Sequence, residues 1–261
     1  MEIKTKRLKF SAIIIAKNEE KKIGGCLKSL AGLVDEIIVV DNDSIDKTVD
    51  ISKSYGAKLF EYKGGSYSDW RNEGLKKAGG VWILYVDADE RVTPELRDEI
   101  LELVSSIKYP VSPHSAFAIP RRNIILGKEL KHGGWWPDYV KRLFRKNKFI
   151  KWVGELHEEP TFEGDLGHLK NPLIHIKHDN LYEMVEKTNS WSEIEARLML
   201  KANHPPMTVP RFLSAMFREF WLRMVHHAAF LDGPEGIIYA LYQVFSRFTS
   251  YAKLWELQIK K

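Results

Sequence analysis

Through the first hundred residues, short apolar runs alternate with segments whose apolar positions recur at helical spacing. Phe10–Ala16 (FSAIIIA) reads as a buried strand, and Ile23, Leu27 and Leu30 then mark one face of a helix that Gly32 ends. Glu36–Val40 predicts a second strand, Asp46–Tyr55 a helix, Lys58–Tyr62 a third strand and Asp69–Ala78 a short helix. Trp82–Val86 follows as a strand. Thr93-Pro94-Glu95 then opens a helix with Leu96, Ile100 and Leu103 on one side. Strand-helix alternation of this kind predicts an α/β fold with a mostly parallel sheet flanked by helices.

The pattern changes after about residue 110, where Pro110 and Pro113 mark a break. Residues 114–180 are rich in Gly, His and Trp, with β-like runs at Ser115–Ile119 and Leu173–Lys177, and read as an α+β extension that closes the sheet's site. From Tyr182 to Lys261 the pattern is helical, interrupted at Pro205-Pro206 and Gly233-Pro234. The expected organisation is a domain over 1–180, with halves at about 1–110 and 111–180, and a helical C-terminal extension over 181–261.

Composition narrows the function classes. The chain has 261 residues, 44% of them hydrophobic, which is enough for a substantial core. Lys and Arg number 40 against 35 Asp and Glu, a net charge of only +5. Basic residues are scattered and no groove-reading motif is present, so no nucleic-acid partner is expected. The single cysteine, Cys26, rules out an intramolecular disulfide and a multi-cysteine zinc site, and fits a reducing cytoplasm. The basic start MEIKTKRLKF leads into too short an apolar run for a signal peptide. Gly236–Ser246, stopped by Arg247, falls short of the roughly 20 residues that span a bilayer. If membranes are involved, the chain lies on them.

Chemistry concentrates at the ends of predicted strands. Ligands of open α/β sheets bind at the carboxyl edge, where loops and helix N-termini converge. Asp41-Asn42-Asp43 leaves the second strand there, Asp87-Ala88-Asp89 the fourth, and Ala16-Lys17-Asn18-Glu19 the first. In an extended chain Asp87 and Asp89 point to one face, where two carboxylates suit a hard cation such as Mg²⁺ or Mn²⁺ shared with a diphosphate. A solvated turn or helix cap is the plainer reading of the same residues. Ser44 or Asp46 suits a helix cap, which leaves Asp41 to accept an N–H from a ligand such as a nucleobase imide. Glu90 either orients a neighbouring ligand residue or caps the loop before Thr93.

In the second half, Gly133-Gly134-Trp135-Trp136-Pro137-Asp138 offers two aromatic plates and an acid suited to a sugar face and its hydroxyls, or else a Trp-rich core plug. Gly154-Glu155-Leu156-His157-Glu158-Glu159 offers carboxylates for base catalysis.

Four segments together, SAIIIAKNEE, EIIVVDNDSIDKT, RNEGLKKAGGVWILYVDADE and WWPDYVKRLFRK, resemble family 2 glycosyltransferases of the GT-A fold. Within that family the similarity is greatest to the lipopolysaccharide-core β-1,4-glucosyltransferase-like branch. The resemblance implies a Rossmann-like nucleotide-diphospho-sugar transferase domain, with donor binding in 1–110 and acceptor binding and catalysis in 111–180. It implies that Ala16, Asn18, Glu19, Asp41 and Asp43 cradle the nucleotide, that Arg71 and Asn72 reach the donor side, and that Asp87 and Asp89 hold a divalent metal and the diphosphate. It further implies Glu158 as catalytic base, with Asp138 in reserve, and His175 near the metal. Trp135, Trp136 and His157 are the expected acceptor contacts. One departure stands out: the family's Gly-Ser-Thr-Asp run is here Asp43-Ser44-Ile45-Asp46, a turn that survives if Asp43 takes a left-handed conformation.

The expected reaction is inverting, metal-dependent transfer of a hexose from a nucleotide-sugar, UDP-linked by preference, to a glycan or glycolipid in cell-surface polysaccharide or lipopolysaccharide-core synthesis. A nucleotidyltransferase would want a glycine-rich N-terminal loop, which Ala16–Glu19 lacks. A non-catalytic carbohydrate-binding protein explains the tryptophans but not the acids. Toward the C-terminus, Phe212, Met216, Phe220 and Met224 fall on one helical face with Arg211 and Arg218 off it. That stripe either packs on protein or rests on an anionic membrane surface, with the enzyme then peripheral to the inner face of the cell membrane.

Overall fold

A computed structural model describes residues 10–105 and 113–260. The basic N-terminal run before Phe10, and Pro110, lie outside the described residues. The chain divides into two compact units. One holds the described residues up to Arg121 together with Tyr139–His175; the other holds Arg122–Asp138 and residues from Ile176 onward.

In the first unit, β1 (Phe10–Ala16), β2 (Glu36–Asp41), β3 (Lys58–Glu61) and β4 (Trp82–Tyr85) lie in the order β3-β2-β1-β4 with parallel pairing. Every residue of β1 and β4 is buried, as expected of parallel strands covered on both faces. Ala16 pairs with Asp41 and Ile13 with Tyr85, so β1 and β2 end level and the chain beyond β4 continues to the same edge. Helix α1 (Ile23–Leu30) buries Ile23, Cys26, Leu27 and Leu30; α2 (Thr48–Ser54), α3 (Tyr67–Lys77) and α4 (Pro94–Ser105) complete the predicted set. A capping box fixes the start of α3: Ser66 accepts from the backbone of Asp69, whose side chain accepts from Ser66.

The other half of the sheet is mixed, and the sequence pattern foresaw less of it. Strand β5 (Glu90–Val92) is only three residues long and runs antiparallel to β12 (Leu173–His178), which sets His175 opposite Glu90. Strand β6 (His114–Ile125) outruns the predicted Ser115–Ile119, and β8 (Asp138–Arg145) pairs antiparallel with β4. Four charged residues among the eight of DYVKRLFR hide that strand from an apolar-run criterion, and only Leu143 and Phe144 are fully buried. Strand β11 (Asp165–His168) joins β6, whereas β9 (Phe149–Val153) and β10 (Glu159–Phe162) form a separate hairpin.

The second unit contains β7 (Lys128–Leu130), paired with the end of β6, and three helices: α5 (Leu181–Lys201), α6 (Val209–Phe220) and α7 (Gly233–Ile259). A π-helical stretch, Trp221–His226, extends α6. Ile125, Leu130, Met184 and Tyr239 form one core and Ala196, Met207 and Leu254 another. The boundary read from sequence at residue 181 therefore differs from the structural one, since Arg122–Asp138 groups with the C-terminal helices. Phe212 also faces inward onto the Ala196–Leu254 core, so α6 is apolar on both sides.

Candidate active site

The loops after β1 and β2 are laced together by backbone N–H groups. Asn18 N–H donates to Ser44 Oγ at 2.9 Å, Ile45 N–H to Asn18 Oδ1 at 2.9 Å, and Glu19 N–H to Thr48 Oγ1 at 2.7 Å. Asn18 and Asp43 both take positive φ, 56° and 59°, so Asp43 supplies the left-handed turn that the glycine it replaces would make. Asp43 itself turns outward to Lys63 at 2.7 Å. Asp46 is the capping acid, accepting from Thr48 N–H at 2.9 Å.

Asp41 ends β2 and is buried. Its Oδ2 accepts from Ser44 N–H at 3.0 Å, while Oδ1 has no hydrogen-bond partner among the described residues. A buried carboxylate oxygen without a donor is costly, and such atoms mark places where a ligand completes the pairing.

After β4 the chain does not stay extended. Glu90 N–H donates to Asp87 O at 2.9 Å, closing a turn through Ala88 and Asp89. This corrects the expectation that Asp87 and Asp89 share one extended face: the two carboxylates have different partners. Asp87 is bracketed by arginines, with Arg71 Nη2 2.7 Å from Oδ1 and Arg142 Nη2 against Oδ2. Burial by itself would raise its pKa, but Arg142 and Arg71 outweigh that and hold the carboxyl well below the usual range. Asp89 Oδ2 instead lies 3.4 Å from His175 Nε2.

Glu90 proves to be the organiser that the sequence left ambiguous. Fully buried, it accepts the N–H of Asp87 at 2.9 Å through Oε2, while Oε1 lies 2.9 Å from Arg142 and 3.4 Å from Arg121. Arg142 and Arg121 were missed in the sequence. No local pattern in the sequence sets Arg142 apart from Lys141 beside it.

Arg71 extends the network to the candidate base: its Nε donates to Glu158 Oε1 at 3.0 Å. Its guanidinium lies over the Trp152 ring at 5.0 Å, and its Nη1 is buried with no partner among the described residues. Neighbouring Asn72 is committed to backbone, donating to Trp152 O at 2.9 Å and accepting from Trp152 N–H at 2.8 Å, which fixes β9 to α3. The segment carrying His157 and Glu158 turns tightly at Gly154, φ 105°, where a Cβ would meet His157 O at 2.8 Å.

In the second unit, Trp135 packs against Tyr239, the rings tilted and 4.8 Å apart, with Arg223 over its ring at 4.6 Å, the packed arrangement left open beside sugar stacking. Trp136 is exposed, and Asp138 Oδ2 accepts from Asn123 Nδ2 at 3.0 Å. The structure thus brings Arg71, Asp87 and Glu158 into one network and sets Asp89 against His175.

Among the described residues no group of three or more His, Cys, Asp or Glu side chains gathers as a metal cage. Asp89 and His175 nevertheless place an oxygen and a nitrogen donor 3.4 Å apart, a pair that would suit an ion shared with substrate phosphates, which is how Mg²⁺ usually binds and which Mn²⁺ tolerates. The donor set fits that shared arrangement.

Residues 11–152 match the glycosyl transferase family 2 model. A Rickettsia bellii (strain RML369-C) protein described as an uncharacterized glycosyltransferase is 29% identical, over 97% of this chain and 88% of that protein. The lipopolysaccharide core biosynthesis glycosyltransferase LpsC of Rhizobium meliloti (strain 1021) is 27% identical, over 96% of this chain and 93% of its own length. Among solved structures, S. aureus TarS 1-349 in complex with UDP-GlcNAc aligns with 95% of this chain and 89% of that one, at 17% identity and a TM-score of 0.48.

Proposed function

Because the chain belongs to glycosyl transferase family 2, we propose that it transfers a hexose from a UDP-sugar to a glycan or glycolipid acceptor with inversion at the anomeric carbon. Lipopolysaccharide-core synthesis is the setting suggested by the relative LpsC. The observation that carries the donor reading is the pair of buried, unpartnered polar atoms, Asp41 Oδ1 and Arg71 Nη1. An acceptor at the end of β2 suits the imide N–H of a uracil ring, and a guanidinium N–H beside Asp87 suits a diphosphate oxygen.

Glu158 removes the proton from the acceptor hydroxyl as that oxygen attacks the anomeric carbon. The bond from this carbon to the diphosphate oxygen breaks in the same step, and its electron pair leaves with the nucleoside diphosphate. Arg71 spans the two ends of the event: Nε orients Glu158 while Nη2 holds Asp87. Asp138 is the reserve base, and Trp136 and His157 are the candidate acceptor contacts. A divalent ion, Mn²⁺ or Mg²⁺, when bound, neutralises charge on the leaving diphosphate. Asp89 and His175 would hold it, with Asp87 at the adjacent turn.

Calorimetry with UDP-, GDP-, dTDP- and CMP-sugars, each with and without Mn²⁺, tests the reading. UDP-sugars should bind tightest and only with the ion present; failure of every nucleotide-sugar to bind would overturn it.

A further inference from the structure

The C-terminal helices expose an apolar face too large to be incidental. Well over half of the exposed large hydrophobic residues among those described fall between Val209 and Ile259. On α6 the outward positions are Val209, Leu213 and Phe217, exposed at 71%, 67% and 65%, and Trp221 continues the row at 52%. These are not the residues of the 212/216/220/224 row: Phe212 meets Phe248 of α7 at 5.8 Å between rings, and Ala215 beside it is buried. Helix α7 adds a row of its own, including Leu241, Phe245 and Trp255.

The exposed charges of α6 and α7 are mostly basic, with Arg211, Arg218 and Arg247 against Glu256. Arg211 and Arg218 lie together on one side of the apolar row of α6. The acid of the same helix, Glu219, turns inward to Arg223 at 3.0 Å and Arg247 at 3.9 Å. Asp232, at the start of α7, is buried and spent on the backbone N–H groups of Lys131 and His132 at 2.9 and 2.7 Å. Exposed tryptophans at the rim, Trp221 and Trp255, are the residue type that settles at the level of lipid headgroups.

An anionic bilayer surface complements the exposed arginines Arg211, Arg218 and Arg247. No helix among the described residues is long and apolar enough to cross a membrane, so α6 and α7 would lie in the interface plane. We propose that the α6–α7 face docks the protein onto an anionic phospholipid surface, with Leu213, Phe217 and Trp221 entering the headgroup–acyl boundary and Arg211 and Arg218 contacting headgroup phosphates. Nothing in this inference depends on the transfer chemistry, and its test requires no turnover.

The test is flotation of the full chain with phosphatidylglycerol/phosphatidylcholine vesicles and with phosphatidylcholine vesicles alone. Wild type should float with the anionic vesicles and lose binding as salt rises. R211E/R218E should lower partitioning about tenfold or more and remove the preference for anionic lipid. F217D/W221D should abolish flotation while circular dichroism melts stay unchanged, since both side chains are exposed. Light scattering without lipid reads the competing occupant. Failure of wild type to float with anionic vesicles, equal binding by the variants, or a stable dimer that F217D/W221D dissociates in place of any vesicle binding would each overturn the proposal.

Discussion

Glu90 Oε2 accepts the backbone N–H of Asp87 at 2.9 Å, so a fully buried carboxylate fixes the residue whose own carboxylate is held between Arg71 and Arg142. Glu90→Ala leaves Arg142 with one acid fewer and Asp87 N–H without an acceptor. A broken buried ion pair costs about 3–5 kcal/mol, so thermal or urea unfolding should show a loss of that order. Glu90→Gln, which retains an acceptor, should cost less. A loss below about 1 kcal/mol for Glu90→Ala would show the network to be idle.

Asp41→Asn tests the donor pocket. The substitution is nearly isosteric, but it can place an amide where a ligand N–H must be accepted. Losing one buried, charge-assisted hydrogen bond of about 1.5–3 kcal/mol should raise the dissociation constant for the nucleotide roughly tenfold to a hundredfold. Calorimetry should show this with the melting temperature maintained or raised, because Oδ1 has no hydrogen-bond partner among the described residues.

Glu158→Gln and Asp138→Asn separate the two candidate bases. Removing a general base costs about a hundredfold to ten-thousandfold in kcat. Glu158→Gln should show that loss with donor affinity within a few-fold of wild type, and Asp138→Asn should not. The reverse pattern would reassign the base.

Glu36 gives a pH prediction away from the site. At the start of β2 it accepts from Ser11 Oγ and Gly79 N–H, each at 2.6 Å, and pairs with Lys58 at 2.6 Å. Burial by itself would raise its pKa; these partners outweigh it and lower the value from 4.5 to about 2. A carboxylate with a pKa depressed by folding stabilises fully above its unfolded value and loses that contribution as pH falls through the folded one. Glu36→Gln should therefore cost about 1–3 kcal/mol at neutral pH, and the gap to wild type should close between pH 4.5 and about 2 in urea melts. A gap independent of pH would contradict the assignment.

Much of the parallel part of the sheet was legible because β1 and β4 are buried on both faces and so appear as uninterrupted apolar runs. Phe10–Ala16 matches β1 residue for residue, and the acids at the ends of β2 and β4 fall at the carboxyl edge where they were expected. Strands β5 and β8 were not legible: each buries only part of its surface, and their polar residues are the ones that build the ion network.

The sequence by itself determined the alternation of strands and helices, the level at which Asp41 and Asp87 emerge, and the family. Local periodicity and residue chemistry suffice for these, since they depend on neighbours along the chain. Tertiary structure decided which partners the charges take: Arg71 and Arg142 on Asp87, His175 on Asp89, and Glu90 beneath them. It also decided which side of α6 faces out. A helix apolar on two sides carries two equally valid stripes, and only packing against α7 buries Phe212 while leaving Phe217 exposed.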